Sequence, residues 1–251
     1  MEFQYPHAAA LDIPSKLSVS ELYEGILDKR ITLDGDADGT KSLTERLCEI
    51  TPRFISEEKE TLTPSAAERG TATHVFMQFC DFKSAEQKGI DFEIERMLAM
   101  GFISPETAVL IDRARAAAFF KSSLYLTRIK SAASMWREYR FNVQLPAAQF
   151  TNDDNRRESL KDEWVFVQGI IDCFTENDDG TYTLIDYKTD RIPFDLVGNE
   201  DEFTELLINR HASQLTYYKR ALEIITKKPV REVLIYSFAL GRAVDITSKC
   251  Q

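Results

Sequence analysis

The sequence predicts an α/β (α+β) fold in which helices flank a mixed central β-sheet. Two runs rich in β-branched and aromatic residues, 164–174 and 181–188, are joined by a polar turn and predict a β-hairpin. Helical spacing of apolar residues and helix-start signals come before this hairpin, and a long helical stretch runs from about 201 to 226. A last β-rich run at 232–240 predicts a terminal strand.

The overall composition is that of an acidic globular protein. The chain has 251 residues, which is enough to bury a good core in one large domain, or in one domain with an arm. No apolar run approaches the ~18 residues that a membrane span needs, and the start lacks the basic and apolar regions of a signal peptide. The net charge of −10 counts against a dedicated DNA-binding protein, whose affinity would come from a basic surface. It is compatible with a site that holds acidic metal ligands and works within a larger assembly.

The cysteines argue against a metal cluster. Cys48, Cys80, Cys173 and Cys250 are far apart, and no C-x-x-C pair occurs. This spacing disfavours a zinc site and a four-cysteine iron–sulfur cluster. We therefore expect ordinary reduced thiols and a cytoplasmic location.

The N-terminal part combines an arm, a helix signal and a polar segment. The arm before Ser18 is expected to be extended, and Ser18 with Glu21 predicts a capping box at the start of a helix. The polar segment 31–63 contains Asp34–Glu45, which matches the ligand pattern of an EF-hand calcium loop. Because Lys41 replaces the usual aliphatic residue and there is no second loop to pair with, a plain acidic surface loop is the favoured interpretation.

The chemistry is expected in the hairpin. Asp186 and Lys188 lie two residues apart on a predicted strand, so their side chains project to the same side. With a turn centred near Asp179, Asp172 lies seven residues before it and Asp186 seven after, which would make the two carboxylates cross-strand neighbours. Like charges in such positions destabilise a sheet unless a divalent cation, with Lys188 beside it, compensates them. The alternative is a pair of solvated acids, which the apolar neighbours on both strands argue against.

Two further polar residues lie in elements of defined type. A helix that starts with Ser65 and Glu68 carries His74 among apolar residues, where a histidine is more often part of the core than a ligand. Glu138 directly precedes the alternating strand 139–145 and by itself would be a surface acid. Neither residue would be assigned to a site without further context.

Together these segments resemble a known family. Gly169–Asp172, followed after the turn by Asp186–Thr189, resembles the core of the PD-(D/E)XK nucleases, and more narrowly the C-terminal nuclease domain of AddA and RecB helicase–nuclease subunits. Three more segments match motifs of this family in the same order: G-T-x-x-H at Gly70–His74, R-E-x-x-F at Arg137–Phe141 and Q-x-x-x-Y at Gln214–Tyr218. Each motif is weak alone, and their order makes the combined signal specific.

The resemblance implies a fold and a set of site residues. It implies a restriction-endonuclease-like nuclease core over residues 63–251, preceded at 1–62 by an arm, a helix and a polar loop. It implies a Mg²⁺ site, with Mn²⁺ as a substitute, whose ligands are His74, Asp172, Asp186 and the carbonyl of Tyr187. The catalytic roles would belong to Asp172, Asp186, Lys188 and Glu138, and Glu138 would either bind the metal directly or contact the metal ligands. The residues that contact DNA or orient water would be Gln214, Tyr218 and Thr189.

The resemblance also implies an activity and partners. The chain is expected to be a Mg²⁺-dependent deoxyribonuclease, as the nuclease module of an ATP-dependent helicase–nuclease in double-strand break processing and recombinational repair. Its partners would be single-stranded DNA ends, a helicase motor domain and a second helicase–nuclease subunit, and no membrane is implied. Because no G-x-x-x-x-G-K-[ST] phosphate loop occurs, we expect either an excised C-terminal domain or a stand-alone relative.

Three other functions stay open at this level. The first is a non-catalytic DNA-binding or scaffolding domain with a nuclease fold, which the intact Asp172, Asp186, Lys188 and Gln214 speak against. The second is a stand-alone Cas4-like exonuclease that lacks the iron–sulfur cluster of that group. The third is a calcium-responsive protein built around Asp34–Glu45, which leaves the arrangement at 172–188 unexplained.

Overall fold

The computed structural model describes residues 13–19, 22, 26–27 and 64–250. Within them, one sheet contains β1 (Lys16–Ser18), β2 (Ser134–Pro146), β3 (Trp164–Glu176), β4 (Tyr182–Lys188), β5 (Val230–Ser237) and β6 (Arg242–Asp245). The α-helices are α1 (Ala66–Phe79), α2 (Phe82–Lys88), α3 (Ile90–Ala99), α4 (Pro105–Leu110), α5 (Arg113–Phe119), α6 (Asp154–Ser159) and α7 (Glu200–Thr226). A π-helical turn at Tyr125–Ile129 leads into β2.

The sheet is mixed, as predicted. Its strand order is β1-β3-β4-β5-β6, and β2 pairs with β3 outside this path. The β1/β3 and β4/β5 pairs are parallel, whereas β2/β3, β3/β4 and β5/β6 are antiparallel. Strand β2 pairs with one edge of β3 along the whole length of β3. On the other edge, β1 pairs with residues 166–168 of β3 and β4 pairs with residues 173–176. Residues 169–172 of β3 lie between these two partners.

Helices cover both faces of the sheet. One hydrophobic cluster joins the sheet to α7, and it includes Leu184 of β4 and Leu215 of α7. A second cluster joins the sheet to α1–α5, and it includes Ile185 and Tyr187 of β4. Successive residues of β4 therefore point into different clusters, and the strand is buried almost throughout, as expected for a strand that is covered on both faces. This burial holds the acidic end of β4 in a fixed position.

The two helices that frame the site have clear local start signals. Ser65 caps α1, and its hydroxyl accepts a hydrogen bond from the Glu68 amide while the Glu68 carboxylate accepts one from the Ser65 amide. Asn199 caps α7, and the first turn of that helix is acidic, which favours the positive end of the helix dipole. Both helices were predicted from the sequence, the first from its capping box and the second from about 201 to 226.

In the N-terminal part, Ser18 ends β1 and pairs in parallel with Gln168 of β3. The helix predicted to start at Ser18 falls largely on residues outside the described part of the chain, so it stays a prediction. Pairing with a free edge of β3 is a tertiary effect that a local capping signal cannot reveal. Leu17 and Leu27 are buried in the cluster on the α7 side. The EF-hand-like segment Asp34–Glu45 lies outside the described residues.

The hydrophobic segments of the described residues are short or interrupted by charge. None of the helices in this part of the chain combines the length and the apolar character that a bilayer span requires.

Candidate functional site

The hairpin places its acidic residues as the turn position predicts. Cys173 is opposite Ile185 and Phe174 is opposite Leu184, so the same register brings Asp172 opposite Asp186. The Asp172 carboxylate also accepts a hydrogen bond of 2.8 Å from the backbone N–H of Tyr187. This bond fixes the Asp172 side chain at the end of the hairpin.

Asp186 and Lys188 form a buried ion pair. The Lys188 Nζ lies 2.8 Å from the Asp186 Oδ2, and the Asp186 side chain is only 2% exposed. Burial raises the pKa of Asp186 above its usual range, and the positive charge of Lys188 only partly offsets this effect. Burial alone would lower the pKa of Lys188, but the negative charge of Asp186 outweighs it and raises that pKa. Lys188 therefore keeps its proton at neutral pH.

Helix α7 extends this pair into a short polar chain. The Lys188 ammonium donates to the Gln214 Oε1 at 3.3 Å, and the Gln214 Nε2 donates to the Tyr218 hydroxyl at 2.9 Å. Gln214 and Tyr218 are one helical turn apart and so face the same way. The structure thus brings both residues of the Q-x-x-x-Y segment to the end of β4.

A second group of ligand-type side chains meets beside the ion pair. His74 of α1, Glu138 of β2 and Asp172 of β3 each offer one ligand atom, and these atoms lie within 4.8 Å of one another. The His74 Nδ1 is 3.5 Å from the Asp172 Oδ1. Burial by itself lowers the pKa of His74, but the hydrogen bond and charge of Asp172, together with the charge of Asp186, raise it above its usual value. Burial and the charge of Asp172 raise the pKa of Glu138.

Glu138 reaches this group through an unusual backbone conformation. Its φ is +50°, in the left-handed region that residues other than glycine seldom adopt. The pairs on either side, Arg137 with Cys173 and Tyr139 with Ile171, keep one register, so the kink inserts no residue and Glu138 lies across from Asp172. Strain of this kind is frequent at functional sites. The sequence carries no signal for it, since neither glycine nor asparagine occupies the position.

The side chains of the ligand-type group differ in one residue from the side-chain metal ligands that the resemblance implies. Glu138 belongs to it, whereas the Asp186 carboxylate is engaged by Lys188. Asp186 is nevertheless close enough to contribute to the pKa of His74. The donor set of two carboxylates and one imidazole suits a hard or borderline divalent cation such as Mg²⁺ or Mn²⁺. The ligand roles of Asp186 and of the Tyr187 carbonyl remain predictions.

A groove of about 520 Å³ gives access to this group. His74, Glu138 and Asp172 line it, and Thr189 lies at its border with α1. Helix α1 packs closely against the end of β4 at Gly70. A Cβ at this position would lie 2.9 Å from the Thr189 Oγ1, so the close approach requires glycine. This contact brings His74, one turn further along α1, to the carboxylates.

Known proteins are similar to this chain over most of its length. The sequence profile of the PD-(D/E)XK nuclease superfamily matches residues 42–242. The chain is 34% identical over 98% of its length to an ATP-dependent helicase/nuclease subunit of Clostridium botulinum (strain Hall), and it covers 18% of that protein. It is also 34% identical over 97% of its length to the protein of the same name from Geobacillus kaustophilus, of which it covers 19%. The chain thus spans about a fifth of the length of these relatives. Because the profile covers most of the chain, the chain belongs to the PD-(D/E)XK nuclease superfamily.

Proposed function

We propose that this chain is a metal-dependent deoxyribonuclease that hydrolyses phosphodiester bonds in single-stranded DNA. The observation that carries the proposal is the convergence of His74, Glu138 and Asp172 within 4.8 Å beside the Lys188–Asp186 ion pair. Such a group combines metal ligands with a fixed cation, which are the two features that phosphoryl chemistry requires. Membership of a nuclease superfamily supports the same reaction class.

The residues have distinct roles in the proposed mechanism. His74, Glu138 and Asp172 would hold a Mg²⁺ ion, which would supply Lewis acidity and lower the pKa of a bound water. Asp172 is already oriented for this by the Tyr187 amide. Asp186 holds Lys188 in its protonated form, so Lys188 orients the attacking water and stabilises the charge that grows on the phosphate. This charge develops only in the transition state, so Lys188 acts on kcat rather than on substrate affinity.

Gln214 and Tyr218 are assigned to the substrate side of this centre. Gln214 binds the Lys188 ammonium through its oxygen and the Tyr218 hydroxyl through its amide nitrogen. Both residues would thereby fix the position of Lys188 and contact DNA or the reacting water. Thr189 follows Lys188 directly and lines the groove, where it would contact the strand.

We further propose that the chain is the nuclease module of an ATP-dependent helicase–nuclease that processes double-strand breaks for recombinational repair. Its similarity to helicase/nuclease subunits over almost its whole length supports this. A helicase motor domain would feed single strands to the site, and a second helicase–nuclease subunit would complete the assembly. The free thiols Cys80, Cys173 and Cys250 are in keeping with a cytoplasmic location.

The first experiment is cleavage of an end-labelled single-stranded DNA in the presence of Mg²⁺, Mn²⁺, Ca²⁺ or EDTA. We expect cleavage with Mg²⁺ and Mn²⁺, none with EDTA, and a loss of at least ~100-fold in Lys188→Ala, because one fixed cation near the transition state contributes about 3 kcal/mol. Lys161→Ala is the matched control, since Lys161 is an exposed lysine in an ion pair with Glu158. Full cleavage by folded Lys188→Ala would contradict the mechanism.

The second candidate function is a scaffolding domain that binds DNA without cutting it. The same experiment separates the two. A folded wild-type chain that binds DNA but cleaves none with any metal, even when joined to its helicase partner, would favour the scaffold.

A further inference from the structure

A second cavity adjoins the metal-ligand group, and its lining is basic. It has a volume of about 290 Å³ and contains the side chains of Arg69, Arg115 and Arg191, with Asp112 as the one acidic residue of its lining. The three arginines come from α1, from α5 and from the segment after β4. In a chain with a net charge of −10, three arginines from separate elements around one cavity are a strong local excess of positive charge.

The three arginines differ in the partners that the described part of the chain gives them. Arg115 forms an ion pair with Asp112, in which the Arg115 Nε lies 3.4 Å from the Asp112 Oδ2, and both side chains are about half exposed. By contrast, no ion pair within the described part of the chain involves Arg69 or Arg191, and both are exposed. Arginine is the residue that matches the geometry of a phosphate group through paired N–H donors.

Part of the cavity lining is apolar. Val109 is 78% exposed and Leu110 is partly buried, and the lining also includes the buried Phe76, Ile111 and Phe238. A basic rim beside an exposed apolar side chain suits a nucleotide, because the guanidinium groups bind the phosphate while the sugar lies against the apolar surface. An isolated inorganic anion would leave this apolar surface unused.

The cavity lies next to the groove of the metal-ligand group. Ala66, Gly70 and Thr189 line both spaces, and the contact of α1 with the end of β4 separates them. Arg69 precedes Gly70 in α1, and Arg191 follows Thr189 by two residues. A strand whose scissile phosphate lies at His74 and Asp172 would bring a neighbouring nucleotide to the side of this contact that the arginines line.

We propose that Arg69, Arg115 and Arg191 form a subsite that binds the phosphate of a nucleotide next to the scissile bond. The proposal rests on the nuclease function and adds a positioning site to it. The carboxylates in the groove bind the metal, and the arginines in the neighbouring cavity bind the phosphate backbone of the strand. The arginines fix the register of the strand rather than contact the reacting atoms.

The test compares the double variant Arg69→Gln/Arg191→Gln with the control Lys228→Gln/Arg231→Gln. Lys228 and Arg231 form exposed ion pairs with Glu176 and Asp179 at the far end of the hairpin, so the control removes the same charge elsewhere. Binding of a fluorescent oligothymidylate is measured by anisotropy in Ca²⁺ at several salt concentrations. Cleavage in Mg²⁺ is measured in parallel.

The subsite predicts a specific loss. The double variant should bind the oligonucleotide about 10-fold to 100-fold more weakly, and the slope of log K against log salt should become shallower by about 0.7 per lost phosphate contact. Its KM should rise by a similar factor while kcat changes by less than about 3-fold. The control variant should match the wild type in affinity and slope.

Other outcomes overturn the subsite in distinguishable ways. A wild type that cleaves DNA, with a double variant that binds as well as the control, would reject the subsite and leave the nuclease function intact. A wild type that neither binds nor cleaves DNA, even when joined to its helicase partner, would reject both. If inorganic phosphate raises the thermal midpoint of the wild type but not of the double variant, and DNA binding is equal in both, the cavity serves a free anion and the proposal fails.

Discussion

The backbone of Glu138 has a φ of +50°, a conformation that costs an ordinary residue about 1–2 kcal/mol. The kink lies where β2 changes the side to which its residues point. Before it, Arg137 donates to the carbonyl groups of Met77 and Cys80 on the α1 side, and after it, Phe141 packs on Tyr218 of α7. The strained residue thus directs its carboxylate to Asp172 at the point where both helical layers meet the sheet.

Relief of this strain is the first prediction. Glu138→Gly should be more stable than Glu138→Gln by about 1 kcal/mol, because both lack the charge and only glycine adopts this φ without a Cβ clash. Both variants should lose cleavage activity at least ~10-fold. Urea denaturation gives the stability difference, and a glycine variant less stable than the glutamine variant would show that φ is not strained at this position.

Asp190 supplies a prediction of acid dependence. Its contact with His211 at 3.4 Å, followed by the ion pair with Arg210, lowers its pKa to about 2. A depressed pKa means that the stabilisation is complete above the unfolded value of about 4 and disappears as the pH falls through about 2. Asp190→Asn should therefore lower the free energy of unfolding at pH 7 by about 1 kcal/mol, after allowance for solvent screening.

The measurement for Asp190 is urea denaturation of the wild type and of Asp190→Asn from pH 7 down to pH ~3. The difference between the two should stay constant to about pH 4 and shrink below it. Asp195→Asn, at an exposed acid in the next turn, is the control and should show no such difference. A difference that grows as the pH falls has the opposite sign and would refute the ion-pair explanation.

At the scale of elements, β3 is the strand around which the site is built. It pairs with β2 along one edge and with β1 and β4 in turn along the other, and residues 169–172 lie in the interval between β1 and β4. Gly169 lies in this interval. A Cβ there would come within 2.7 Å of the Phe141 ring and 2.9 Å of the Tyr218 ring, so the close packing of α7 on the sheet depends on glycine.

Gly169→Ala should lower the free energy of unfolding by about 1–3 kcal/mol, because the methyl group overpacks two rings. It should also lower cleavage activity, since a displaced Tyr218 no longer holds the amide of Gln214. In the double variant Gly169→Ala/Phe141→Leu, the smaller leucine makes room for the methyl group. Its free energy of unfolding should therefore fall by less than the sum of the falls in the two single variants. Strict additivity would mean that the clash is relieved in another way.

The elements show which features a sequence can reveal. The hairpin, α1 and α7 were predicted because period-two alternation, a capping box and helical spacing are local signals. The position of Asp172 opposite Asp186 followed from symmetry about the turn. The strand β1 was missed, since a short edge strand forms only through its partner β3. Glu138 was found through its motif, but its kink depends on tertiary packing and could not be predicted.

At the scale of the whole molecule, the site concentrates negative charge in a chain that is already acidic. Glu138, Asp172 and Asp186 belong to three strands, and the charge of Asp172 contributes to the raised pKa of each of the other two carboxyls. Folding therefore brings together like charges that the unfolded chain keeps apart. A divalent cation that binds the folded form compensates this repulsion, so metal binding and global stability are linked.

This linkage gives the last prediction, which does not require cleavage. At a free metal concentration of about 100 times Kd, binding to the folded form adds about 2.7 kcal/mol to the free energy of unfolding. This corresponds to a rise in Tm of about 5–10 °C for a chain of this size.

Asp172→Asn should abolish this rise in Tm, because it removes a charged ligand, while the oxygen of the new amide can still accept the hydrogen bond of the Tyr187 N–H. The control Asp178→Asn removes one negative charge from the exposed hairpin turn and should show the full rise in Tm on metal binding. Scanning calorimetry with Mg²⁺ and Mn²⁺ measures each shift. An unchanged wild-type Tm, or a full rise in Asp172→Asn, would show that the metal does not bind where His74, Glu138 and Asp172 meet.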